Sequence, residues 1–306
     1  MENKFILGID LGGTNLKIAL LNSAYKIKAK QVLSTKSFKT KDALIQAIYD
    51  SVNGFISSHN LRKNDILGVG LGLPGPIDSR EGIVHFFPNI PGWKEVRLRN
   101  ILRNKIKLPV AIDNDANLMC LAEFKLGSAH GFKNVICLTL GTGVGGGLII
   151  DAKLYRGSTY ASGEIGHVPV NESGPQCNCG GSGCLEVYVG NSRILGFAKK
   201  TFRRDISLEE LSALAHKKNK LAMKVWEETG KHLGIALSGV VNMLNLDAIV
   251  IGGGVADAGR FLFEKIRQTI NQRAMSVQAR HVRIFKAKLG SDAGLIGAAI
   301  LVKEGI

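Results

Sequence analysis

Two apolar runs joined by a short glycine turn open this chain, and the same device returns midway along it. Phe5-Ile6-Leu7-Gly8-Ile9 reads as a strand, Asp10-Leu11-Gly12-Gly13-Thr14-Asn15 as a turn, and Leu16 to Leu21 as a returning strand. Val135 to Leu140, Gly141 to Gly147 and Leu148 to Ile150 repeat that order. Hairpins of this kind, interleaved with helical stretches, call for an α/β fold built from two similar halves, each presenting a glycine hairpin. A length of 306 residues is room for about two domains. The boundary is expected near Asn117, giving a smaller domain of residues 1–117 plus 291–306 and a larger one of residues 118–290.

The stretches between support this plan. Asp42 to Asn60 carries Leu44, Ile45, Ile48, Val52, Phe55 and Ile56 at three- and four-residue spacing, which predicts a helix with Asp42 as its cap. Ile66 to Leu73 reads as a buried strand stopped by Pro74-Gly75-Pro76. Val110 to Ile112 is a strand that runs into Asp113-Asn114-Asp115, and Ala116 to Leu126 is the helix that follows. Ser207 and Glu210 form a capping-box pattern, Leu221 to Leu246 is long and helical, and Ala248 to Ile251 is a strand entering Gly252-Gly253-Gly254. Ala293 to Lys303 closes the sequence as a helix whose Gly294, Gly297, Ala298 and Ala299 permit close packing.

Composition narrows the class. Lys and Arg number 40 against 25 Asp and Glu, a formal charge of +15, which suits either an anionic partner or a solvated basic surface. The longest uncharged stretch, Val135 to Ile150, is too short and glycine-rich to span a membrane, and Met1 to Asp10 has an acid at position 2 and no signal-peptide pattern. The expectation is a cytoplasmic protein without a membrane partner. Five cysteines, three of them between positions 177 and 184, point to metal rather than to disulfides.

Three loops are competent to hold phosphate. Asp10, Gly12, Gly13 and Thr14 place an acid at a strand end and turn N–H groups beyond it, so phosphate oxygens can be cradled and a hydrated magnesium ion held by Asp10. Gly141-Thr142-Gly143 is the second loop and Gly252-Gly253-Gly254 the third. Each alone reads equally as an ordinary turn. Gly141 to Gly147 contains a G-x-G-x-x-G string, but a strand follows it rather than a helix, so it is no dinucleotide fingerprint. His167, Cys177, Cys179 and Cys184 supply one imidazole and three thiols, with Gly180, Gly181 and Gly183 allowing a tight wrap, and a Cys3His set is a structural zinc shell. Cys120 and Cys137 sit in apolar runs and read as core residues, and Trp93 as a packing residue.

Asp10-Leu-Gly-Gly-Thr14, Leu73-Pro-Gly-Pro76, Asp113-Asn-Asp115, Leu140-Gly-Thr-Gly143, Glu164-Ile-Gly-His167 and Cys177-Asn-Cys179-Gly…Gly-Cys184-Leu-Glu186 occur in one order. Together they closely resemble the ROK family of sugar kinases, repressors and uncharacterised reading frames, within the actin/hexokinase-like superfamily. The resemblance implies an α/β, two-domain actin-like ATPase (ribonuclease-H-like) fold with a cleft between domains. It implies Asp115 as catalytic base, with sugar contacts from Gly75, Asn89, Asn114, Asp115, Glu164, His167 and Glu186. Nucleotide phosphates would meet Asp10, Gly12, Gly13, Thr14, Asn15, Lys17, Gly141, Thr142, Gly143, Gly253 and Gly254. Its cofactors would be a structural Zn2+ on His167, Cys177, Cys179 and Cys184, and Mg2+ with ATP. Homodimers or homotetramers are the family's usual assemblies. Read locally, Asp115 at a helix start is either a cap or an ionised base, and both readings stand.

The implied reaction is ATP-dependent phosphorylation of a hexose 6-hydroxyl, with glucose as first choice. N-acetylmannosamine, N-acetylglucosamine and fructose are alternatives as acceptor, and polyphosphate as donor, since Lys94 to Lys107 carries six basic residues against Glu95. A sugar-responsive repressor of the same family would carry a DNA-binding domain ahead of the first glycine loop; here the first strand opens at Phe5, so no nucleic-acid partner is expected. Because Glu164 and Glu186 flank the metal residues, loss of metal is expected to slacken the sugar side before it reaches the nucleotide loops.

Overall fold

The structure is a computed structural model and describes residues 4–87, 90 and 92–305. Asn89 therefore lies outside the described residues. By contact the chain divides into two compact units, Met1–Ala122 with Arg156–Ser162 and Ser291–Ile306, and Glu123–Tyr155 with Gly163–Gly290. The first division falls within a helix, a few residues beyond Asn117, and the short return of Arg156–Ser162 has no counterpart in the sequence pattern.

In the first unit, β1 (Phe5–Leu11) and β2 (Asn15–Asn22) form an antiparallel hairpin, closed where the Gly12 N–H donates to the Asn15 carbonyl at 2.8 Å. β3 (Ile27–Ser34) continues the sheet as its edge, with alternating exposure that suits a strand covered on one face. α1 (Lys41–Ser58) buries Leu44, Ile45, Ile48, Val52 and Phe55 along one stripe. Its cap is Thr40, whose Oγ1 accepts from Ala43 N at 3.2 Å, and not Asp42, which lies in the first turn. β4 (Ile66–Leu73) pairs in parallel with β1. A separate small sheet follows, made of β5 (Ile77–Asp78), β6 (Ile83–Phe86) and β7 (Lys94–Val96). Within this region Trp93 is buried edge-on to Phe87, with ring centroids 5.4 Å apart, a packing residue as its sequence suggests. The basic stretch ending at Lys107 forms α2 (Leu98–Ile106), which buries Leu98, Leu102 and Ile106, while the Arg99 guanidinium is spent on the Arg80 carbonyl. β8 (Val110–Asn114) joins β4 in parallel and leads straight into α3 (Asp115–Leu126).

The second unit repeats the hairpin. β9 (Val135–Leu140) and β10 (Val144–Ile150) are antiparallel, and β11 (Lys153–Tyr155) forms the edge. The turn is shorter than the sequence suggests: Gly145, Gly146 and Gly147 belong to β10. At Gly146 backbone crosses backbone, since a Cβ there would stand 2.3 Å from the Gly163 carbonyl oxygen. The helices are α4 (Glu186–Val189), α5 (Asn191–Phe202), α6 (Leu208–His216) and α7 (Lys220–Leu244). Ser207 caps α6 by accepting from Glu210 N, but the Glu210 side chain pairs with Arg204, so only half of the expected capping box forms. β12 (Ala248–Gly252) pairs in parallel with β9, and α8 (Arg260–Arg273), α9 (Ser276–His281) and β13 (Arg283–Lys286) complete the unit. Trp226, Leu233 and Leu237 of α7 pack with Leu262 and Ile266 of α8 in its core.

α10 (Ala293–Glu304) returns to the first unit. A Cβ on Gly8 would stand 2.4 Å from the Leu295 carbonyl oxygen and one on Gly70 2.0 Å from that of Ala298, so the helix backbone lies directly on β1 and β4. Cys120 and Cys137 are fully buried, as their apolar surroundings suggest. No helix among the described residues is long and apolar enough to cross a membrane.

Candidate active site

The β8–α3 junction sorts three consecutive polar residues into three tasks. Asp113 is 1% exposed, and its carboxylate accepts from Arg156 Nε at 2.8 Å, Asn117 Nδ2 at 2.9 Å and Asn114 N at 2.7 Å. Arg156 Nη2 adds an ion-pair contact at 2.7 Å. A carboxylate so engaged has no spare capacity to take a proton from a substrate. Asn114 is the helix cap: its Oδ1 accepts from Ala116 N at 2.9 Å and Asn117 N at 3.3 Å, while its Nδ2 donates to the Gly75 carbonyl at 3.1 Å. Asp115 begins α3 half-buried, with Oδ1 accepting from Ala116 N at 2.9 Å. The capping reading of Asp115 thus passes to its neighbour. Gly75 has φ +96°, and a Cβ there would stand 2.6 Å from the Phe86 carbonyl oxygen, so the segment that meets Asn114 needs glycine twice over.

The first hairpin turn lies in the same unit. Asp10 sits opposite Lys17 in the β1–β2 register, with Lys17 Nζ 3.4 Å from Oδ2 and 2.9 Å from the Ser291 carbonyl it donates to. Its carboxylate rests over Gly294 at the start of α10, where a Cβ would be 2.8 Å from Cγ. Burial pushes the Asp10 carboxyl above the usual carboxylate range, a shift that Lys17 and Lys30 partly oppose. Gly13, Thr14 and Asn15 are exposed at the tip, and Thr35 Oγ1 braces the turn through the Gly12 carbonyl at 2.9 Å.

In the second unit the register of β9 and β12, with Gly252 opposite Thr139, sets two glycine loops side by side. Gly253 has φ +86° and lies against the Leu140 carbonyl, where a Cβ would be 2.0 Å away. Gly254 opens a short 3-10 turn, Gly254–Ala258. Gly141, Thr142 and Gly143 form a tight turn in which Gly141 N donates to the Gly143 carbonyl at 3.0 Å. The loop is held from α4 and α5: Val144 N donates to Glu186 Oε2 at 2.9 Å, and Asn191 N to the Gly141 carbonyl at 2.9 Å.

The donor atoms of His167, Cys177, Cys179 and Cys184 lie within 4.8 Å of one another. His167 Nδ1 is 3.7 Å from Cys177 Sγ, and the Cys179 and Cys184 sulfurs are 3.6 Å apart. Tetrahedral thiolates at about 2.3 Å from a zinc ion stand about 3.8 Å apart, so the donor set fits such an ion in chemistry and in spacing. Gly180 (φ +94°) and Gly183 (φ +65°) make the wrap possible. His167 Nε2 faces the other way, 3.9 Å from Glu164 Oε2. Burial lifts the Glu164 carboxyl above its ordinary value, a rise that His167 opposes and the neighbouring Glu186 carboxylate adds to.

Glu164, His167 and Glu186 are thus gathered around the cysteine loop, and Gly75, Asn114 and Asp115 around the end of β8. Two participants were not singled out from the sequence. Arg156, 43 positions from Asp113, was one basic residue among many, although a buried acid at a strand end signals a need for some cation. The Val144 N–H that receives Glu186 has no side-chain signature at all.

The ROK family model matches residues 6–305. A glucokinase from Halalkalibacterium halodurans is 35% identical over 99% of this chain and 96% of its own length. A xylose repressor from Caldicellulosiruptor bescii is 32% identical over 97% of this chain and 77% of its own. The crystal structure of a ROK family glucokinase from Streptomyces griseus in complex with glucose and AMPPNP superposes with a TM-score of 0.84 at 30% identity, covering 98% of this chain and 100% of that one.

Proposed function

The chain belongs to the ROK family, and from that premise we propose that it is an ATP-dependent hexose kinase acting on the 6-hydroxyl of glucose, with Asp115 as general base. One observation carries the assignment of the base. Asp113, the other acid of this segment, is saturated by Arg156, Asn117 and the Asn114 N–H, which removes it as the base. The glucokinase relative and the glucose-bound neighbour support glucose as the acceptor.

In this reading Gly75, Asn114, Glu164, His167 and Glu186 are the residues that hold sugar hydroxyls. The Asp115 carboxylate accepts the 6-hydroxyl proton as the new oxygen–phosphorus bond forms and the bond between the β,γ-bridging oxygen and the γ-phosphorus breaks, releasing ADP. Asp10 and Lys17 are the charged side chains at the first loop suited to orient a magnesium–ATP complex, in which the ion would neutralise phosphate charge. His167, Cys177, Cys179 and Cys184 would hold a structural Zn2+, whose cross-links would fix Glu164 and Glu186 against one another.

The test is a sugar panel with ATP, monitoring ADP release, for the natural protein and Asp115→Asn. Glucose should give the highest kcat/KM. The variant should keep its melting temperature and sugar affinity while kcat falls by about 10²–10⁴. Near-normal turnover by Asp115→Asn removes the base. No turnover of any hexose removes the kinase reading and leaves a sugar-responsive regulator like the xylose repressor.

A further inference from the structure

Glu186 touches more than its place beside the cysteines requires. It opens α4 two residues beyond Cys184 and is half-buried. Its Oε2 accepts from Val144 N at 2.9 Å, the first residue after the Gly141-Thr142-Gly143 loop, and a Cβ on Gly143 would stand 2.5 Å from that same oxygen. At the far end of α4, Gly190 lies against the Thr142 carbonyl and Asn191 N donates to the Gly141 carbonyl. The Asn191 Oδ1 is buried beside this contact without a hydrogen-bond partner. The glycine loop is therefore shaped from outside, and the single carboxylate in that support is Glu186. Its Oε1 makes no hydrogen bond among the described residues.

We infer that Glu186 is a positioning residue for the Gly141-Thr142-Gly143 loop and that, by serving both this loop and the sugar, it couples nucleotide binding to sugar binding. The sugar half of this inference rests on the function proposed above; the loop half rests on the geometry alone. A charge-assisted hydrogen bond fixes the Val144 N–H, and deleting the acceptor leaves that N–H without a partner and the loop without its brace. A sugar hydroxyl donating to Oε1 holds the same carboxylate still, so the loop is pre-formed when the nucleotide arrives. Such coupling is reciprocal: whatever factor the sugar adds to nucleotide affinity, the nucleotide adds to sugar affinity. Through Glu186 the cysteine loop is linked to the Gly141-Thr142-Gly143 loop as well as to the sugar.

The experiment is calorimetric titration of the zinc-loaded protein with the magnesium complex of a non-hydrolysable ATP analogue, without sugar and then with saturating glucose. Without sugar, a control at the exposed Glu227, Glu227→Gln, should bind the analogue as the natural protein does, whereas Glu186→Ala should bind it about tenfold more weakly or worse. Glucose should tighten analogue binding several-fold in the natural protein and leave it unchanged in Glu186→Ala. Equal analogue affinity in Glu186→Ala and the natural protein, with metal content and melting temperature retained, overturns the loop role. If Glu186→Ala loses its metal or its fold, Glu186→Gln decides: its amide oxygen can still accept from Val144 N, so affinity without sugar should hold while the glucose effect disappears. An undiminished glucose effect in Glu186→Gln overturns the coupling. Glucose titrated alone reports separately on the proposed function, since absence of any heat there removes the sugar and leaves the loop result standing.

Discussion

Replacing Arg156 by Met is the sharpest probe of how the first unit holds its reactive segment. The side chains of Arg156 and Asp113 are 14% and 1% exposed, so both charges are largely withdrawn from water and each depends on the other. Met keeps the length and apolar body of the arginine while leaving Asp113 with only Asn117 and the Asn114 N–H. Breaking one side of a buried pair costs about 3–5 kcal/mol, against a total stability of about 5–15 kcal/mol for a domain. At about 2–4 °C per kcal/mol for a unit of this size, the melting temperature should fall by around 10 °C. The companion variant Asp113→Asn with Arg156→Met removes both charges, and its loss should be at most half as large, because no uncompensated charge remains. Thermal melts of both variants, together with Arg156→Lys, give the comparison. Lys keeps the charge but not the fork that grips Asp113 through Nε and Nη2, and should lie between. The residual activity adds a second readout: Asn114 and Asp115 follow Asp113 in the chain, so kcat should drop further than the folded fraction does. A single variant melting within a degree or two of the natural protein, or a double variant as unstable as the single one, refutes this account of the pair.

Three further outcomes are expected. Burial lifts the Asp10 carboxyl above its usual value, so its ionised form costs stability at neutral pH and that cost is relieved as pH falls through the raised value; Asp10→Asn should accordingly melt higher than the natural protein at pH 7, the gain should shrink towards pH 4, and turnover with ATP should collapse. Thr40→Ala should destabilise by about 1 kcal/mol in urea unfolding, whereas Asp42→Ala should cost a few tenths at most, since Thr40 and not Asp42 caps α1. Chelation of the metal should open the segment between Val168 and Leu185 to limited proteolysis and lower the melting temperature, and Cys179→Ser should do the same without chelator; an undisturbed cleavage pattern counts against a structural ion at those four residues.

Much of the frame was legible because its period is short and its punctuation strong. The strand Ile66–Leu73 is bounded by Pro74, the strand Val135–Leu140 by Gly141, and both coincide with the structure. The apolar stripe of α1 was equally plain. The small sheet was not, because β5, β6 and β7 are two to four residues long and too short to show an alternation. β3 was hidden by its lysines, which an edge strand carries without penalty. Gly146 read as turn because a glycine needed for close approach of two backbones looks the same in sequence as one needed for a bend. The cluster of His167 with three cysteines could be assembled from spacing. The engagement of Asp113 could not, since it depends on Arg156, whose partnership is a matter of tertiary placement.

The seating of α10 on β1 and β4 has a bearing on how the protein is made. Strands that need this helix, with Gly8 and Gly70 open to receive it, are synthesised first, and the whole of the second unit is translated before the helix emerges. At about 5–20 residues per second, the interval from the end of β8 to α10 is roughly 10–40 s. For that time the nascent sheet carries an uncovered slot, and the glycines that later admit a helix backbone offer it no bulky side chains of its own as shelter.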